Sequence, residues 1–207
     1  MLGAMSTPPP VLVLAAHPEL RHSRVTRRLM EAAAAVPGVA VHDLYARYPD
    51  FVIDVAAEQA AAGAARLIVW LHPIHWYAMP ALMKLWVDEV LALGWAYGRG
   101  GTALRGKDLW LVTSTGGGAG AYRPEGYNRH PFDAFLPPYA QTAALCGLRF
   151  LPPMVLHGAH EASDEAIDAH ARRFAQRLAA HPAWVAGGPG GEPGVEVPAG
   201  DRPVMED

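Results

Sequence analysis

Short apolar runs alternate along this chain with stretches in which apolar residues recur at helical spacing. Val11 to Ala16 is a continuous apolar run of the kind that forms a strand buried on both faces. Ser23 to Val36 follows as a predicted helix, with Ser23 at the N-cap and Val25, Leu29, Ala32 and Ala33 on one face. The same alternation continues with strands predicted over Val39 to Leu44, Arg66 to Leu71, Asp108 to Ser114 and Leu148 to Leu156. Between and after them, helices are predicted over Ala56 to Ala65, Pro80 to Leu93, Phe132 to Cys146 and Ala162 to Ala180, the third interrupted near Pro137 and Pro138. The prolines in the last strand place it at a sheet edge, because proline has no N–H to give to a neighbour. Strands that alternate with helices form a parallel sheet covered on both faces, so the pattern predicts an α/β three-layer sandwich with a five-stranded sheet of order 2-1-3-4-5. The domain is predicted over residues 11–183. Residues 1–10 are an extension, and 184–207 form a Gly/Pro-rich acidic tail whose composition predicts disorder.

Composition narrows the function classes. With 207 residues and 51% hydrophobic content, one domain with a full core is expected. The formal net charge is -3 and the basic residues are scattered, so no nucleic-acid partner is expected. The most hydrophobic predicted helix, Pro80 to Leu93, carries Lys84, Asp88 and Glu89, which argues against a membrane span. Met1 to Pro10 lacks the basic and apolar segments of a secretory signal, and Cys146 is the single cysteine, so a cytoplasmic protein without an internal disulfide is expected. The apolar surroundings of Cys146 predict a packed thiol.

Candidate chemistry gathers at the carboxyl ends of the strands. After the third predicted strand come Pro73, Ile74, His75, Trp76 and Tyr77, offering backbone donors and aromatic surface. After the fourth come Ser114, Thr115, Gly116 and Gly117, where the absence of a Cβ lets main chain approach a flat ring. After the first come His17 and the helix start Ser23, Arg24, Val25 and Thr26, where free amides, the helix dipole and two hydroxyls suit a phosphate. Ser23 can equally be a plain helix cap, and both readings stand at this point. Strands one, three and four are neighbours in the predicted order, so their loops converge on one crevice. A phosphate cradle, an aromatic edge and a bare glycine turn together suggest a flavin mononucleotide.

These segments, together with Trp86 to Asp88, Gly94 to Gly98 and Leu44 to Phe51, resemble the NAD(P)H:quinone oxidoreductases of the flavodoxin-like superfamily. Within it, the likeness is greatest to the ancillary flavoproteins of glutathione-gated potassium efflux systems. The resemblance implies a flavodoxin-like fold, a homodimer and two-electron ping-pong hydride transfer from NAD(P)H to quinones. FMN is the expected cofactor and FAD the alternative. It assigns the ribityl phosphate to His17 and Ser23–Thr26, the isoalloxazine edge to Ile74–Tyr77, and the turn beneath the ring to Ser114–Gly117. Tyr122 and His130 resemble the tyrosine and histidine that assist hydride transfer, within a segment longer than that of typical members. Trp95 and Tyr97 match a segment that lines the partner's pocket across the dimer; local packing of either ring is the alternative. The resemblance also implies a second role, as a subunit peripheral to the inner membrane face that activates a potassium/proton antiporter.

Two other signals are set aside. Gly116 to Ala121 satisfies G-x-G-x-x-A but follows the fourth strand, which argues against a dinucleotide fingerprint. The pairs His72/His75 and His157/His160 lack further ligands that would close a metal site, so no metal is expected.

Overall fold

The computed structural model describes residues 11–185. Five strands form one all-parallel sheet: β1 Val11–Ala15, β2 Val39–Asp43, β3 Leu67–Pro73, β4 Asp108–Ser114 and β5 Arg149–Leu156. Their order is β2-β1-β3-β4-β5, so the predicted topology holds. The helices are α1 Val25–Ala34, α2 Leu44–Arg47, α3 Val55–Ala64, α4 Ala81–Val90, α5 Pro137–Leu145 and α6 Asp164–Ala180. Short 3₁₀ turns at Leu20–His22, Ala119–Ala121 and Phe132–Phe135 lie in the loops.

Alternation along the strands divides the core into two layers. Leu12, Leu14, Ile68, Trp70, Leu109 and Leu111 pack under α3, α4 and α5, with Trp86 and Tyr139 from those helices. Val11, Val13, Val69, Leu71, Trp110 and Val112 face the opposite way, against Leu29 of α1 and Ile167 and Phe174 of α6. Each large apolar side chain sealed in this way contributes about 1.5–3 kcal/mol of transfer free energy.

Several boundaries differ from expectation for local reasons. Pro137 and Pro138 begin α5 instead of interrupting a longer helix; the preceding segment is a separate 3₁₀ turn. Proline suits a first helical turn because the missing N–H has no partner there. The four-residue α2 was not predicted; Asp43 caps it by accepting from the Ala46 amide at 3.2 Å. In β5, Pro152 and Pro153 produce a bulge: Trp110 pairs with Leu151, yet Val112 pairs with Met154. Trp110 Nε1 donates to the Pro152 carbonyl across it, at 3.1 Å. The tail predicted over 184–207 begins with two residues that pack on the second core layer, Trp184 and Val185. The rest of that predicted tail, and the extension over 1–10, lie outside the described residues.

Glu58 of α3 organises the edge of the sheet. Its carboxylate is fully sealed and accepts from Tyr48 Oη at 2.7 Å, from Trp86 Nε1 at 2.9 Å and from His42 Nδ1 at 3.0 Å, with Arg47 Nε at 3.3 Å. Burial alone would raise its pKa, but the His42, Trp86 and Tyr48 donors outweigh burial and hold the carboxyl below its ordinary value. One side chain therefore joins β2, α2, the following loop, α3 and α4.

Candidate functional site

The parallel sheet sets out the carboxyl ends of β1, β3, β4 and β5 side by side, and the site is built from the loops that leave them. Between β1 and α1, the chain makes a 3₁₀ turn and arrives at Ser23, whose Oγ accepts from the Thr26 amide at 3.0 Å. Ser23 is therefore a helix cap. That bond uses a lone pair and leaves its hydroxyl proton free to donate. Ser23 and Thr26 are both largely buried. Arg24 turns away. Its guanidinium donates to Asp164 Oδ1 of α6 at 2.8 Å, so at this helix start it offers only its main chain. Arg24 and Arg28 together hold the Asp164 carboxyl below its ordinary pKa.

His17, at the end of β1, accepts from the Glu19 amide through Nδ1 at 3.1 Å, which leaves its proton on Nε2. Burial, and after it the nearby His75, lowers its pKa. The two rings meet edge to face with centroids 6.3 Å apart, so the loops after β1 and β3 do converge.

The loop after β3 is held at its root and strained at its tip. Ile74 donates its amide to the Ser114 carbonyl at 2.8 Å, tying this loop to β4. His75 and Ala78 exchange two main-chain hydrogen bonds of 3.0 Å, closing a two-residue turn with Trp76 at φ 48° and Tyr77 at φ 65° at its centre. Bulky residues in the left-handed region cost about 1–3 kcal/mol each, and such strain concentrates at ligand-binding sites. Trp76 is 93% exposed at the tip. Behind the loop, His72 is sealed and stacked on Tyr139 with centroids 5.8 Å apart. Its Nδ1–H donates to the Pro73 carbonyl at 2.9 Å, and burial lowers its pKa to about 4. This neutral histidine braces the segment from which Ile74 to Tyr77 project.

The loop after β4 begins at Thr115, whose amide donates to Leu156 of β5 and whose hydroxyl donates to the Gly117 carbonyl at 2.7 Å. A Cβ at Gly116 would stand 3.1 Å from His160 Nε2, and one at Gly117 would stand 2.1 Å from Tyr127 Oη. A side chain at either position would therefore have to displace the side chain that closes on the turn. Tyr122 packs there against Phe132 at 5.4 Å, Phe135 at 6.1 Å and His157 at 5.2 Å between centroids. Burial raises its pKa, keeping the phenol protonated, and its hydroxyl faces Thr115 and Asn128. Tyr77 stacks on Phe135 at 5.1 Å and donates to Asn128 Oδ1 at 3.3 Å, which brings the β3 loop to the same cluster. His130 is exposed and reaches the cluster only by an edge contact with Phe135 at 6.2 Å. Trp95 and Tyr97 pack half-buried against the core layer under α4 and make no ring contact with this cluster.

His157 and His160, from the loop after β5, were expected only as a weak metal pair. They are instead neighbours of the glycine turn. Ser114 pairs with Leu156 in the parallel register, so the residue after Leu156 must lie beside Thr115. That consequence was available once β5 was placed next to β4. No group of three or more His, Cys, Asp or Glu side chains suited to a metal occurs among the described residues.

Hydroxyls at a helix start, a strained aromatic hairpin and a glycine turn closely covered by side chains form a set that fits a phosphate joined to a flat heterocycle. A family described by its flavodoxin-like fold matches residues 9–178. The chain is 49% identical over 170 residues to the glutathione-regulated potassium-efflux system ancillary protein KefF of Citrobacter koseri, covering 82% of this chain and 96% of that protein. It is similar to the general stress protein 14 of Treponema denticola, solved in complex with FMN, at 38% identity and TM-score 0.79, covering 83% of this chain and 99% of that one. An NADPH-quinone reductase from P. pentosaceus superposes with TM-score 0.74 at 26% identity, covering 81% and 96%.

Proposed function

The chain belongs to the family with the flavodoxin-like fold, and from that membership we propose that it is an FMN-dependent NAD(P)H:quinone oxidoreductase. The observation that carries the reading is the glycine turn of β4, bare of Cβ and walled by Tyr122, Tyr127 and His157, beside the phosphate-suited start of α1. Similarity to an FMN-bound protein and to an NADPH-quinone reductase supports the cofactor and the chemistry.

Ser23, Thr26 and the first amides of α1 would hold the phosphate of FMN, and Ile74 to Tyr77 and Thr115 to Gly117 would flank its ring. When bound, FMN supplies reversible two-electron hydride chemistry that no side chain possesses. His17, neutral with its proton on Nε2, can donate at the phosphate end. The Ile74 amide is spent on Ser114, which fixes the loop for the amides beyond it. Tyr122 keeps its phenolic proton and can donate a hydrogen bond to a quinone oxygen as negative charge develops there. His130, exposed beside Phe135, can deliver a proton at the rim. The aromatic cluster of Tyr122, Phe132 and Phe135 would shield one side of a bound ring from water. One pocket would serve donor and acceptor in turn, as a ping-pong sequence requires.

The test is single-turnover kinetics. NADPH should bleach the flavin and a small quinone should restore it. Tyr122→Phe and His130→Gln should slow one half-reaction by about 10²- to 10⁴-fold if each supplies a proton. Unchanged rates in both variants would remove these residues from the chemistry.

The 49% identity to an ancillary protein of a potassium-efflux system favours a second reading, in which a homodimer docks on a membrane antiporter and raises its transport. Potassium flux through vesicles carrying such an antiporter, with and without this protein, decides it.

A further inference from the structure

We propose that His157 is a positioning residue of the flavin site: by donating from Nδ1 to Thr115 it forces the Thr115 hydroxyl onto the Gly117 carbonyl and so locks the glycine turn. The proposal rests on the flavin reading for what the turn holds, but the lock itself belongs to the chain.

Thr115 Oγ1 lies 2.7 Å from the Gly117 carbonyl, which can only accept, so the single hydroxyl proton of Thr115 is spent there. His157 Nδ1 lies 2.9 Å from the same oxygen, which has only a lone pair left to offer. His157 must therefore be the donor, with its proton on Nδ1. With the opposite tautomer, Nδ1 would be an acceptor, Thr115 would have to turn its proton toward it, and the Gly117 carbonyl would lose that donor. The Gly117 carbonyl also accepts from the Gly158 amide at 2.9 Å, so main chain and side chain of the β5 loop close on the turn together. The imidazole is flanked by Tyr122 at 5.2 Å and Phe132 at 5.3 Å between centroids, which restrict its rotation. Those contacts also make His157 the back wall of Tyr122. His130, the histidine that the sequence pointed to, has no such anchorage.

Asparagine and glutamine separate this role from generic packing. An asparagine amide can stand where Nδ1–H stands, whereas a glutamine amide reaches the position of Nε2 and phenylalanine has no donor. The experiment uses the full chain. Long-range ¹H–¹⁵N spectra of the flavin-free protein report the His157 tautomer, and fluorescence titration with FMN compares the parent with His157→Asn, His157→Gln and His157→Phe. Circular dichroism and thermal unfolding identify any variant that fails to fold.

The expected result is a proton on Nδ1, FMN affinity near the parent's for His157→Asn, and affinity weaker by about tenfold for His157→Gln and His157→Phe, the factor one ordinary hydrogen bond carries. A proton on Nε2, or equal affinity of His157→Asn and His157→Phe, would overturn the proposal. If the parent binds no FMN, the flavin reading fails, and the tautomer still decides whether the lock exists.

Discussion

Trp76 and Tyr77 hold left-handed backbone that neither residue favours, Gly117 lies directly under the Tyr127 hydroxyl, and His72 is neutral in a sealed layer; each places a specific demand on one position. Gly117 gives the simplest prediction. The atom a new Cβ would meet is Tyr127 Oη, the end of an exposed and flexible side chain, so Gly117→Ala should shift folding stability by no more than about 0.5 kcal/mol. The same methyl group would push Tyr127 aside and crowd Ala121 in the loop proposed to border the ring, and FMN affinity should fall about tenfold, since overpacking a fitted contact costs about 1–3 kcal/mol. Urea unfolding and FMN titration of one variant measure both. His72 predicts a pH dependence. Its folded pKa of about 4 lies below the unfolded value near 6.5, so the unfolded chain binds the proton first. Stability is then complete above about pH 6.5 and declines as pH falls toward 4, by about 3 kcal/mol in total from this group. His170, also buried and lowered to about 4, acts in the same direction. Urea midpoints at pH 7.5, 6 and 5 should fall in order, and less steeply for His72→Asn.

At the scale of elements, the strands and their order were legible because a strand buried on both faces is an unbroken apolar run, and β4 was bounded correctly by Asp108 and Ser114. Elements set by one local contact were not legible. The short α2 depends on Asp43 as its cap, and the start of α5 depends on how Pro137 is used. Of the candidate site, the loops after β1, β3 and β4 were readable because chemistry follows strand ends in this topology. His157 was missed because its partner is a residue 42 positions earlier in the chain, brought beside it only by the β4–β5 register. Arg24 was read as a site residue from its position, and its side chain instead joins α1 to α6 through Asp164. The Glu58 cluster had no signal in the pattern, since α3 is an alanine-rich helix with one acidic residue in its first turn. Glu58→Ala should destabilise the fold by about 3–5 kcal/mol, because it removes the shared acceptor of the buried Tyr48 and Trp86 donors and the partner of Arg47 and His42. A loss under about 1 kcal/mol in chemical denaturation would mean the cluster is replaceable by water.

For the whole molecule, one sheet with two covered faces leaves its chemistry on a single rim, and the rim is open: Trp76, Tyr77 and Tyr127 stand exposed around the glycine turn. A second copy of the chain would cover such a rim, and Trp95 and Tyr97, half-buried on the layer under α4, are the rings proposed to reach it. Sedimentation at micromolar concentration should give a dimer, and a monomer under those conditions would refute that assembly. No helix among the described residues is long and apolar enough to cross a membrane. The account as a whole depends on the flavin. Purified protein should be yellow, with a visible spectrum of oxidised flavin, and the molecule released on denaturation should have the mass of FMN at about one per chain. FAD in that place would move the cofactor assignment within the family, and a colourless protein that takes up neither flavin on titration would contradict the central claim.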